Sequence, residues 1–60
     1  MNTTGPGWYV VKVEEGRVVW VIEGPYDLKK AREAASLYAR TYPKKVLYWN
    51  GKNWQKHHRS

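Results

Sequence analysis

WYVVKVEEGRVVWVIE, Trp8 to Glu23, sets the architecture expected of this chain. Two runs rich in β-branched and aromatic residues, WYVVKVE and RVVWVIE, flank Glu15-Gly16, and runs of this kind around a short Gly-containing turn predict a β-hairpin. A two-residue turn sets Glu14 opposite Arg17, Val13 opposite Val18, Val11 opposite Trp20 and Tyr9 opposite Ile22, with opposite charges paired beside the turn. Glu-Gly is a poorer turn signal than Asn-Gly, in which both residues tolerate positive φ.

Downstream, Gly24-Pro25 is expected to end the second strand, and Asp27 stands where a helix N-cap belongs. Helical spacing places Leu28, Ala31, Ala35, Tyr38, Ala39 and Tyr42 on one stripe, with Lys29, Glu33, Ser36 and Arg40 opposite, so the helix is predicted to run to about Thr41 before Pro43 stops it. Lys45 to Trp49 then reads as a third strand and Lys52 to about Lys56 as a fourth. They are joined by Asn50-Gly51, the strongest short hairpin signal in the chain. That register sets Leu47 opposite Trp54 and Val46 opposite Gln55. Residues 1–7, with Thr-Thr-Gly-Pro-Gly, are expected as a flexible arm, residues 8–56 as the domain and residues 57–60 as a basic tail. The predicted fold is α+β: a single four-stranded antiparallel sheet, ββαββ, with one helix packed on one face.

Sixty residues allow one domain, and a chain this short buries only about 60% of its unfolded surface. Four Trp and five Tyr supply the bulk that such a core needs. The absence of Cys excludes disulfides and thiolate metal sites and suits a reducing compartment, so a cytoplasmic location is expected. No secretory signal or membrane span is expected, since MNTTGPG is polar and the apolar run Val18 to Ile22 is short. Eleven Lys and Arg against five Asp and Glu give a net charge of +6, which points to nucleic acid or an acidic protein surface as partner. The charge is also unevenly spread: Lys44, Lys45, Lys52, Lys56 and Arg59 lie in the last third, and every acidic residue precedes them.

One helix covers one sheet face. On the expected register Tyr9, Val11, Val13, Val18, Trp20 and Ile22 lie under it with Leu47 and Trp54. Trp8, Val10, Lys12, Val19, Val21, Val46, Tyr48, Asn53 and Gln55 then face outward. Exposed aromatics with nearby lysines suit nucleic acid: Tyr48 can stack a base, Lys12, Lys45, Lys52 and Lys56 neutralise phosphates, and Asn53 and Gln55 can address base edges, with Arg59 in the tail. Lys29 and Lys30, in the first helical turn, offer an anion site or, for Lys29, a pair with Glu33. The competing expectation is a protein interface built from Trp8, Val10, Val19, Val21 and Tyr48, on a protein partner or on a second copy in a homodimer.

Catalytic chemistry is not expected. Ser36 falls mid-helix, Ser60 ends the sequence, and Glu14 and Glu15 point to opposite faces of a strand. His57-His58 lacks a third ligand for a metal, and GPG and EGP are turn punctuation and no phosphate loop, so no cofactor is expected.

The strand WYVVKV, the Gly-Pro-Tyr-Asp lead into a helix of the type DLKKAREAASLYA, and a closing strand together resemble small bacterial and bacteriophage proteins of ββαβ or ββαββ layout. Among these are the small RNA polymerase inhibitors made by lytic phages. The resemblance implies a compact, non-catalytic binder, phage-encoded and acting in the host cytoplasm. Those inhibitors act through acidic and hydrophobic strand surfaces, whereas this chain is basic, so no functional residue carries over.

Overall fold

The computed structural model describes residues 3–57. It contains β1 (Gly7–Glu14), β2 (Arg17–Tyr26), α1 (Leu28–Ala35), β3 (Lys44–Trp49) and β4 (Trp54–Gln55). The four strands form one sheet in the order β2-β1-β3-β4, each pair antiparallel, which is the expected ββαββ layout. β1 lies inside the sheet, and its Tyr9, Val10 and Val11 are all 0% exposed. Three consecutive buried residues require cover on both faces, because successive side chains point to opposite sides.

The helix supplies only one of these layers, and it lies on the face opposite to the one expected. Ala34 and Ala35 pack on Val10, with Ile22, Tyr26, Tyr38 and Val46 around them. Tyr9, Val11 and Val21 form a separate cluster on the other face with Val13, Val18, Leu47, Trp49 and Trp54. Size complementarity explains the choice. Small Ala side chains close tightly over valines, whereas the rings of the other cluster would hold a helix off the sheet and instead cover that face themselves. Trp54 meets Tyr9 edge-on with centroids 5.6 Å apart and lies 4.9 Å from Trp49. Buried Tyr9 donates its hydroxyl to the Gly5 carbonyl at 2.7 Å and accepts from the Thr4 amide at 3.1 Å, so the segment before β1 is tied to this layer.

The first turn is two residues long as expected, with both Glu15 (φ 51°) and Gly16 (φ 77°) left-handed and Glu14 opposite Arg17 and Val13 opposite Val18. Beyond these pairs the register departs from expectation. Lys12 faces Trp20, Val11 faces Val21, Val10 faces Glu23 and Trp8 faces Tyr26, with three irregularities that each add residues to β2. Each bulge reverses the facing of the residues beyond it and sharpens the local twist. Hence Val21 enters the core at 8% exposed, while Trp20, expected there, is 58% exposed. β2 also runs on through Gly24-Pro25, which a proline can do on an edge strand. Gly24 (φ 139°) is required here, because a Cβ at this position would stand 2.5 Å from Tyr9 Cδ2 and 2.9 Å from the Trp8 carbonyl oxygen.

Asp27 caps α1, its Oδ1 accepting from the Lys30 amide at 2.8 Å. The helix stops at Ala35, well short of Thr41. Ser36 Oγ donates to the Glu33 carbonyl at 2.6 Å, and the next amides, Leu37 and Tyr38, bond three residues back instead of four. Tyr38 is drawn away to donate its hydroxyl to Glu23 Oε2 at 2.6 Å, while Tyr26 donates to Glu23 Oε1 at 2.8 Å. One carboxylate thus joins β2 to the segment after the helix.

The second hairpin also differs from expectation. Asn50 Oδ1 accepts from the amides of Lys52 (2.8 Å) and Asn53 (2.7 Å), which closes a four-residue loop and leaves β4 only two residues long. Trp49 now faces Trp54 and Tyr48 faces Gln55. A slip of two residues preserves facing, so Leu47 and Trp54 still share a side.

Two outcomes are expected from these contacts. Glu15→Asn should stabilise the fold by roughly 0.5 kcal/mol in urea denaturation, since Asn accepts the left-handed conformation more readily; a loss would mean that the Glu15 side chain is needed. Hydrogen bonds from Tyr38 and then Tyr26 hold the Glu23 carboxyl below its ordinary 4.5, and the same bonds raise both phenols above 10.0. The stability they contribute is present between those limits. It is lost as pH falls through the lowered Glu23 value and again as pH rises through the raised tyrosine values. Glu23→Gln should therefore lower the urea midpoint inside that window and converge with the wild type on both sides, whereas an offset independent of pH would show the carboxylate charge to be irrelevant.

Candidate functional site

A four-stranded sheet laid flat would separate its edge strands by about 14 Å, three strand spacings. Here residues from both edge segments line one groove: Gly16, Arg17 and Val18 from the first hairpin, and Trp54, Gln55 and Lys56 from the end of the second. Val13 of β1 and Lys45 and Leu47 of β3 complete it. The bulges that twist β2 provide the curl. The groove encloses about 390 Å³ and lies on the face away from the helix.

Its floor is apolar. Val13, Val18, Leu47 and Trp54 are four of the five partly buried members of the Tyr9 cluster, and each of the four also lines the groove. Its rim is cationic. Arg17, Lys45 and Lys56 are exposed, and no acidic residue lines the groove. Glu14 stands opposite Arg17 as expected, and its Oε2 also has Lys12 Nζ at 3.6 Å. Among the described residues the Trp54 indole nitrogen, Nε1, is the buried side-chain polar atom that has no hydrogen-bond partner.

The residues anticipated as a nucleic-acid site separate into groups. Lys45, Gln55 and Lys56 meet at the groove. Lys52 and Asn53 are exposed in the loop beside β4. Lys12 lies on the helix side opposite Lys44. Lys30 Nζ sits over the Tyr26 ring, 6.0 Å from its centroid, and the ion pair among the described residues is Lys12–Glu14, not Lys29–Glu33. Arg59 and His58 lie outside the described residues. Tyr48 faces the helix side, edge-on to Trp8 at 5.5 Å, and not the groove.

The anticipated protein interface is broken up in the same way. Val10 and Val21 are buried and cannot touch a partner, Trp8 is half-buried against Tyr48, and Val19 stays 44% exposed beside Trp20 on the edge strand β2. Arg17 and the apolar floor were absent from both anticipated sites. The signal for Arg17 was weak, because its neighbour Glu14 offered a ready partner in sequence.

No helix among the described residues is long and apolar enough to cross a membrane. Compared with known proteins, the chain matches no protein-family model and has no significant match among curated proteins or solved structures.

The two faces can be told apart by substitution. Trp54→Ala should cost about 3 kcal/mol by urea denaturation, because it uncovers Tyr9 and Leu47. Trp20→Ala should cost under about 1 kcal/mol. The reverse ranking would place Trp20 in the core and refute the bulged register.

Proposed function

We propose that this protein is a small, non-catalytic, cytoplasmic nucleic-acid-binding module that works through the groove opposite its helix. The observation that carries the proposal is the ring of Arg17, Lys45 and Lys56 around an apolar floor with no acidic residue between them. The exposed cations around this concavity set up a local positive potential that a chain of net charge +6 reinforces. Phosphates are the polyanion that such a rim neutralises, with release of their counterions. Lys52, in the adjoining loop, extends the same edge.

Exposed Val19 and Trp20 on edge strand β2 favour a second reading, docking of this strand on a protein or on a second copy. Association of that kind would depend on Trp20 and respond little to salt.

Titration of labelled DNA and RNA at several salt concentrations separates the two. Binding should weaken steeply with salt, and Lys45→Gln with Lys56→Gln should flatten the log–log slope by roughly 1.5 units, while Arg32→Gln on the helix leaves it unchanged. Absence of binding even at low salt would refute the nucleic-acid function.

A further inference from the structure

The groove's layout bears on which form of nucleic acid it accepts, an inference that rests on the function just proposed. Its charges stand at the rim and its floor is hydrocarbon and indole. A duplex keeps its base faces stacked inside and presents phosphate and sugar to any concave surface. Seating a duplex here would press charged phosphates onto Val13, Val18, Leu47 and Trp54 with no hydrogen bonds in return. A single strand has the complementary layout, with an unstacked base whose apolar faces suit the floor and a phosphate on either side for the rim. About 390 Å³ provides room for an inserted base beside the Trp54 ring. An acidic peptide would satisfy the rim and leave the floor unfilled.

We infer that the groove takes an unstacked base of single-stranded nucleic acid, with the flanking phosphates on Arg17, Lys45 and Lys56, and that the protein thereby selects single strands over duplex. Charge alone predicts the opposite preference, since a duplex offers more phosphates per length.

The test uses the full chain and four probes, each at several salt concentrations from low to physiological: a single-stranded oligonucleotide, an abasic strand with the same number of phosphates, a duplex of the same length, and polyglutamate. Binding is followed by anisotropy, and the indole N–H resonances are followed by NMR. The base-bearing strand should bind about tenfold or more tightly than the abasic strand and the duplex, and it should shift the Trp54 resonance while leaving that of Trp20 in place. A duplex or abasic strand that binds equally well with a steep salt slope would overturn the base-insertion inference and leave the nucleic-acid function standing. Failure of every nucleic-acid probe at low salt would overturn both, and so would tighter binding of polyglutamate, which would point to an acidic protein partner.

Discussion

Burial of β1 from both sides is the constraint on which the rest of this structure depends. Tyr9, Val10 and Val11 are sealed by two layers of different make, an Ala-rich helix on Val10 and a ring cluster on Tyr9 and Val11. The described residues form a single helix, so the second layer comes from the sheet's own large side chains. That requirement gives Trp54, on a strand of only two residues, its importance, and it makes a side chain at Gly24 intolerable where β2 crosses Tyr9.

The second layer is also incomplete, and the candidate site is the gap it leaves. Trp54 reaches Tyr9 and Trp49, but toward the first hairpin the floor of Val13, Val18 and Leu47 has no further ring above it. A helix on that face would have filled the space. The curl of β2 brings Arg17 to one wall while Lys45 and Lys56 stand on the others, so apolar surface and positive charge meet there as a by-product of how the core is closed. On the helix side Lys12 is paired with Glu14, and Lys30 lies over Tyr26 near the Glu23 carboxylate that ties β2 to the end of the helix.

Much of this was legible locally. The two β-rich runs around Glu15-Gly16, the Asp27 cap and the Asn50-Gly51 turn give the element order, because strand propensity, capping and turn geometry act within a few residues. Lys45 and Lys56 were legible as a basic edge on charge distribution alone. The Asn50 side chain shows the limit of such signals. It marked the turn correctly, yet by accepting two amide bonds it built a loop of four residues instead of two.

By itself, then, the sequence determined the order of the elements, the helix start and a cationic C-terminal third, all set by neighbours along the chain. Only the tertiary structure decided which face of β1 meets the helix. The run Tyr9-Val10-Val11 is apolar on both faces, so its alternation carries no sign, and packing of Ala against Val and of ring against ring supplied it. It also decided the register of β2. Each added residue reverses everything beyond it, and the bulges are fixed by contacts between Gly24 and Tyr9, Glu23 and Tyr38, and Val21 and the core. The place of Arg17 opposite Glu14 was legible from the two-residue turn, whereas its meeting with Lys45 and Lys56 at one groove came from the curl of the sheet.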